Sequence, residues 1–523
     1  MICEVREGLT GILTISCEGR SETYVPNYDQ DQARELLLEF QALQDDTGGR
    51  LTKNYQAEGY NWYPSMVSYL YWYLFFPFVK YAPLVAEWMA GQRHFRWQGQ
   101  GQFRTLLELL GETGYRQTWR TRLHYLALRL NNRLVARYST AGLLFFRFAQ
   151  NDFRTAEIRR TLGQLGIDYL DVAPAPRTLE IPSSYLKGER TYYFSQPPGM
   201  NRGNRFQHRY PLDHLDSIKG RLFAVGIQVV ERSVTSFVVE YRHHLEALRN
   251  SNPKIFYGLD DINGFIFPVI YACRRLGLRT IGHQHGAYVR RHAGYMMEGI
   301  APAEWQWFDH VIVWGEFWKN KMLRLSKAYP PGFFVVGSNK FSTILPAAEA
   351  AANSPRTVLV PYEFLANTAR IGEYIQKLMD LGYKVAFKPR PDDDLTEQIE
   401  AYRLPHSYRD RLTIVMKLDA AALAQIDIVA GTMTTLLYEL LPCGKIIWIF
   451  DTEFRHLDDL VEEGFARRVR FEDLENLDDS YFRPTHANRV ALFGKATLED
   501  TLRCQVLSMD QPPGATEPAT EAA

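Results

Sequence analysis

Four short stretches place chemically able side chains just after predicted strands. The run KIFYGL (254–259) is followed by Asp260 and Asp261, with Gly264 close behind. Adjacent carboxylates at a strand end point in different directions, so one can face a cleft while the other caps the next helix. A nearby glycine lets backbone approach a ligand. Such a carboxylate can take a proton from a hydroxyl or attack a carbon centre, while capping by both is the plainer alternative. The run RTIG (279–282) leads into His283-Gln284-His285-Gly286. Residues two apart share a face of extended chain, so both imidazoles are expected in one cleft, with Gly286 allowing a tight exit. Imidazole titrates near neutrality and suits acid/base work or polar contacts to substrate. A metal would need a third ligand at a workable spacing; His292 and Asp309 are the nearest in sequence, and no metal site is expected.

The other two stretches suit an anion. KVAF (384–387) precedes Lys388-Pro389-Arg390-Pro391 and then Asp392, Asp393 and Asp394. Two cations spaced by rigid prolines form a phosphate clamp, or else an ordinary charged turn paired with the aspartates. DIVAG (427–431) ends at Gly431 and continues through Thr432, Met433, Thr434 and Thr435 into LLYELLPCGK. Free amides and threonine hydroxyls at a helix start suit an anion, with Glu439 one turn in and placed to accept from a ribose; capping by Thr432 or Thr434 is the alternative. The turn lacks GxxxxGK[ST], so an ATPase reading has no support.

In this order the motifs resemble those of bacterial GT-B glycosyltransferases of capsule and lipopolysaccharide biosynthesis, in particular the Kdo and sialic acid transferases and related HQHG-containing families. The resemblance spans roughly residues 140 to 470, and its most specific parts are the HQHG element and GTMTTLLYELLPCGK. It implies that Asp260 or Asp261 is the catalytic carboxylate, general base of an inverting transfer or nucleophile of a retaining one. His283 or His285 would orient or protonate groups in a cleft shared with Gly264, Gln284 and Gly286. Lys388, Arg390, Gly431, Thr432, Thr434, Thr435 and Glu439 would hold the donor without a metal. CMP-sugar enzymes often carry His-Pro where this chain has Arg390-Pro391. The implied partners are a nucleotide-sugar donor, which is a substrate and not a cofactor, and a glycan or lipid-linked acceptor. The implied location is the cytoplasm, with peripheral contact at the inner membrane. The alternatives are a CDP-glycerol-type glycerophosphotransferase and a non-catalytic polysaccharide-binding or scaffold protein.

The elements that must position these residues read as α/β. From Ala141 onward, short β-branched or aromatic runs alternate with helical stretches, which predicts two Rossmann-like lobes with parallel sheets. Strands are expected at 143–148, 167–172, 254–259, 279–284 and 310–315, then in a second series at 333–337, 357–362, 384–389, 413–416, 427–431 and 445–450. The expected division is a helical, aromatic-rich N-terminal elaboration (1–140), an acceptor-side lobe (141–337), a linker (338–355), a donor lobe (356–507) and a disordered tail (508–523). Residues 176–215 read as a long Pro/Gly/Arg-rich loop.

Charge excludes one class of partner: Lys+Arg and Asp+Glu are both 60, so no nucleic acid is expected. Five scattered cysteines without a CxxC pair argue against a disulfide framework or structural zinc, and suit a reducing compartment. The first residues lack a basic stretch followed by an apolar one, and no signal peptide is expected. Residues 62–90 are strongly aromatic but carry Pro77, Lys80, Pro83 and Glu87. They read as buried helices broken at proline, with an interfacial aromatic surface near a lipid-linked acceptor as the alternative.

Overall fold

In the computed structural model of the chain, the described residues are all except 9–10, 100, 112–118, 149–152, 179, 182–189, 195–205, 207, 213–216, 261, 340–355, 392–393, 486 and 509–523. The aromatic N-terminal region forms helices at Gln30–Gln41, Phe76–Met89, Gln102–Leu110 and Trp119–Tyr138. It also holds a sheet that the sequence reading did not anticipate. Strands β1 (Ile2–Glu7), β2 (Leu13–Cys17) and β3 (Arg20–Tyr24) form an antiparallel meander, a small hairpin pairs β4 (Gln56–Ala57) with β5 (Tyr60–Asn61), and β6 (His94–Gln98) joins β1 in parallel. β1 and β2 alternate exposed and buried residues, the pattern of a sheet covered on one face.

Register corrects the cysteine reading. Cys3 lies opposite Cys17 across β1 and β2, and the two form a disulfide. Their spacing in sequence did not show that a hairpin would bring them together, and cysteine usage therefore gives no argument for a reducing compartment.

Residues 62–90 fold as broken helices, with Trp62, Tyr63, Tyr71, Leu74 and Phe75 fully buried. The helix Phe76–Met89 kinks at Tyr81, just before Pro83. A second segment, Ile218–Leu248, is long and apolar enough to cross a membrane by length and composition; 72% of its most apolar window is buried inside the protein, as in a core helix.

The first parallel sheet comprises β7 (Leu143–Phe146), β8 (Tyr169–Pro174), β9 (Thr191–Phe194), β10 (Ile255–Leu259), β11 (Arg279–His283), β12 (His310–Val313) and β13 (Phe334–Val336), in the spatial order β13-β12-β11-β10-β7-β8-β9. The second comprises β14 (Thr357–Pro361), β15 (Lys384–Lys388), β16 (Thr413–Ile414), β17 (Ile428–Gly431), β18 (Ile446–Phe450) and β19 (Arg467–Val469), in the order β16-β15-β14-β17-β18-β19. All pairings within both sheets are parallel, and the central strands are buried along their length, as sheets covered on both faces require. These are two Rossmann-like lobes.

Three points differ from the sequence reading. The run 333–337, counted there with the second series of strands although inside the expected first lobe (141–337), is the edge strand of the first sheet. Thr191–Phe194, inside the expected loop 176–215, is a strand; much of the rest of that loop lies outside the described residues. Residues 489–507, grouped with the second lobe, pack on the first: Trp318 Nε1 donates to Leu492 O at 2.9 Å, and Leu498, Leu502 and Val506 join Leu143, Phe145 and Tyr257 in one core. Within the expected linker only Ser338 and Asn339, and within the expected tail only Ser508, are among the described residues.

Candidate active site at the junction of the lobes

Strand order reverses between β7 and β10 in the first sheet and between β14 and β17 in the second. Crevices at the carboxyl ends of strands beside such reversals are where open α/β sheets take ligands. Asp260 leaves β10 at the first reversal. It is fully buried, and its backbone N–H donates to His283 O at 2.9 Å. Its Oδ1 accepts from the His285 backbone N–H at 2.9 Å and from His285 Nδ1 at 2.7 Å, and its Oδ2 accepts from the Tyr288 hydroxyl. Burial and the neighbouring Asp260 push Tyr288 well above the usual phenol range, so it stays a donor. Tyr295 OH donates to Asp260 O at 3.0 Å and lies 3.2 Å from His285 Nδ1. A carboxylate partner on Nδ1 puts the proton there and the lone pair on Nε2, the tautomer of a base. The His285 side chain is 23% exposed, beside the half-buried ring of Phe148, over which the Arg154 guanidinium sits at 4.1 Å.

The structure does not bring His283 into this cleft. It is fully buried, with Nδ1 2.7 Å from Tyr257 OH and Nε2 2.8 Å from Ser338 O. β11 ends at His283, so the two-residue repeat that would align it with His285 stops there. Gln284 is also buried: its Nε2 donates to Gly286 O and its Oε1 accepts from Trp314 N, tying β11 to β12. Gly264 is a packing glycine and no ligand contact, because a Cβ there would stand 2.8 Å from Ser65 O. Gly286 makes no left-handed exit; a Cβ on it would only touch Thr435 Oγ1 at 3.5 Å. Asp261 lies outside the described residues. Asp309 bonds Thr280 at the start of β11, and His292 is half-buried against Trp72 and Tyr295. Among the described residues no group of three or more His, Cys, Asp or Glu could hold a metal.

At the second reversal the expected anion nest is already filled. Glu363, just past β14, is fully buried and accepts from Thr432 N and Met433 N at 2.8 Å, from Thr434 N at 3.2 Å and from Thr432 Oγ1. Burial raises its pKa, and these hydrogen bonds pull the other way. Gly431 is needed here, since a Cβ would lie 2.5 Å from Glu363 Oε1. The backbone amides expected to bind donor phosphate are therefore occupied by the protein's own carboxylate. Thr434 Oγ1 accepts from Leu436 N, and Glu439 ends the short helix Leu436–Glu439, half-buried. Thr435 Oγ1 crosses to the first lobe, accepting from Ala287 N at 3.2 Å.

Lys388 ends β15 beside this crevice. It is half-buried, its Nζ donates to Pro389 O at 2.8 Å, and burial lowers its pKa. The Arg390 guanidinium lies 4.6 Å over the ring of Phe364, which is 39% exposed, while its backbone is clamped by Gln398. Asp394 caps the helix Leu395–Ala401; Asp392 and Asp393 lie outside the described residues. Ionic contacts hold the lobes together. Buried Lys321 lies 3.0 Å from Asp459 and 2.9 Å from Glu463, and Arg291 reaches both Asp31 and Asp458.

Sequence reasoning missed Glu363, Tyr288, Tyr295, Phe148 and Arg154. Glu363 follows the strand run TVLVPY and was findable by the rule that found Asp260. The tyrosines carried no such signal.

No protein-family model and no curated protein matches the chain. Solved structures of similar shape include MurG of Acinetobacter baumannii, 14% identical over 64% of this chain and 87% of that one, with a TM-score of 0.35. A calicheamicin glycosyltransferase is 12% identical over 70% and 93%, TM-score 0.40. A UDP-GlcNAc 2-epimerase from Methanocaldococcus jannaschii is 11% identical over 69% and 98%, TM-score 0.40.

Proposed function

We propose that the protein is a glycosyltransferase that moves a sugar from a nucleotide-activated donor to a hydroxyl of a surface glycan or lipid-linked acceptor. The observation that carries this reading is the Asp260–His285 pair at one strand reversal, across the Ala287–Thr435 contact from the cationic edge of the other. In the proposed step the acceptor hydroxyl gives its proton to His285 Nε2 as its oxygen attacks the anomeric carbon. The bond to the donor phosphate breaks on the opposite face, and the configuration inverts. Asp260 holds the ring and stabilises the imidazolium that forms. Lys388 and Arg390 take up the charge on the departing nucleotide, a task for which a metal would be the alternative. This moves the general base from the aspartate to the histidine. A carboxylate with three donors and no exposed surface is poorly placed either to reach a hydroxyl or to attack a sugar carbon. The Lys388–Arg390 edge equally fits the pyrophosphate of CDP-glycerol, so donor chemistry decides between the two transfers.

The test is nucleotide release from CMP-, UDP- and GDP-sugars and from CDP-glycerol, with and without glycan acceptor and with and without EDTA. Acceptor-dependent release from one nucleotide sugar, insensitive to EDTA and abolished in His285→Ala, supports the reading. Release from CDP-glycerol alone replaces it with glycerophosphate transfer. No release from any donor, with nucleotides failing to raise the melting temperature, overturns it in favour of a binding protein.

A further inference from the structure

The helix Trp119–Tyr138 carries five arginines and no acidic residue in its sequence. Its inner face is buried: Leu128, Asn131, Asn132, Val135 and Ala136 pack toward β9 and the long helix Ile218–Leu248. Its outer face is apolar where a surface helix is normally polar. Leu123, Leu126 and Leu130 are 48%, 64% and 59% exposed, at the i, i+3, i+7 spacing of one stripe. Arg133 and Arg137 continue the stripe, both exposed, with Arg133 2.7 Å from Glu246, and Arg190 adds a third guanidinium at the Tyr138 end. Nowhere else do the described residues expose more than two large apolar side chains on one element.

The stripe also has a direction. The chain passes from Tyr138 into the amino end of β7, so the helix runs against the strands. His124 Nδ1 lies 3.1 Å from Thr178 Oγ1, just beyond the carboxyl end of β8, and Asn132 Nδ2 donates to Tyr193 O in β9. Leu123 and Leu126 therefore sit toward the carboxyl ends of the strands, the same side of the lobe as Asp260 and His285, while Leu130 lies level with β9, where Asn131 Nδ2 donates to Thr191 O.

We propose that this face docks on an anionic lipid surface, with the leucines entering the headgroup boundary and the arginines pairing with lipid phosphates. Charge decides the occupant. The helix itself supplies five arginines and no acid; Glu246 and Glu240 of the long helix face Arg133 and Arg129, and the arginines left in excess disfavour a second copy of the same helix and favour an anionic partner. The segment 62–90, the other candidate for lipid contact, is largely buried. The inference stands apart from the transferase chemistry, and docking would hold the first-lobe crevice near a bilayer.

The experiment is cosedimentation of the full chain with vesicles of phosphatidylglycerol and phosphatidylcholine in equal parts, and with phosphatidylcholine alone. The protein is expected to pellet with the anionic vesicles only. Leu126→Glu with Leu130→Glu should weaken binding at least about tenfold, and Arg137→Ala about fivefold, with the melting temperature unchanged. Failure of the wild type to pellet, equal binding to phosphatidylcholine alone, or unaltered binding by the double variant overturns the proposal. So does a wild-type dimer in solution that the double variant turns into a monomer.

Discussion

Asp260 and Glu363 are both fully buried carboxylates that follow a strand where a parallel sheet reverses its order, one in each lobe. Their donors set them apart. Asp260 is held by a tyrosine hydroxyl, a backbone amide and an imidazole, and that imidazole belongs to a side chain that is 23% exposed. Glu363 is held by three backbone amides and a threonine hydroxyl of one turn, all of them fixed parts of the fold. A carboxylate at the same topological place thus holds an imidazole in one lobe and seals a backbone nest in the other.

Asp260→Asn should break the first half of that contrast and give the largest effect. An amide cannot hold the Nδ1–H tautomer as a carboxylate does, so turnover should fall about 10⁴-fold, by analogy with the loss at a catalytic Asp–His pair. His285→Ala should cost about 10³-fold with folding intact, within the range of general-base catalysis. Full activity in either variant would remove the pair from the mechanism.

Acid probes stability next. His292 and His456, at the junction, and His244 in the first lobe are held neutral by burial, with pKa values lowered to about 3, 4 and 3. A histidine whose folded pKa is depressed binds its proton more readily when unfolded. Stability is therefore intact above the ordinary value near 6.5 and lost as pH falls toward 4. One pH unit below 6.5, the three together should remove about 4 kcal/mol. A melting temperature flat between pH 7 and 5 would contradict their buried, neutral state.

Glu363→Ala sharpens the second half of the contrast. Four donors lose their acceptor, which should cost about 1–3 kcal/mol of stability for the first buried group left bare. It should not tighten donor binding. If donor affinity rises instead, the carboxylate competes with donor phosphate for the nest, and the nest is a binding site after all. Lys388→Ala should weaken donor binding about tenfold, as expected for one charge-assisted contact, while leaving stability nearly unchanged.

The contrast also marks what sequence can show. Asp260, His285 and Lys388 were legible because a strand of apolar residues announces its own end, and a polar residue placed there stands out. Which of Asp260, His283 and His285 would be buried was not legible. That depends on Tyr257, Tyr288 and Tyr295, which ordinary core preferences explain equally well. The central strands were read correctly because runs such as IFYGL and IIWIF are apolar throughout. β9 was lost inside a Pro/Gly/Arg-rich stretch, and β19, Arg467–Val469, is a short edge strand beginning with two arginines. The N-terminal sheet went unread because its alternating strands are short, and the disulfide because only register joins Cys3 to Cys17.

Thr435→Val is the smallest of these perturbations and tests what links the two crevices. Valine keeps the shape of threonine and removes the acceptor for Ala287 N, a bond between the turn after β17 and the loop after β11. One half-buried neutral hydrogen bond contributes about 1 kcal/mol, so the melting temperature should fall by only a few degrees. If Lys321, with Asp459 and Glu463, sets how the lobes meet, kcat should stay within about twofold and KM should change little. A large fall in kcat at constant stability would mean instead that this single bond aligns His285 with the donor edge. The two crevices would then be one catalytic unit whose geometry is fixed at Thr435 and not at the ionic cluster behind it.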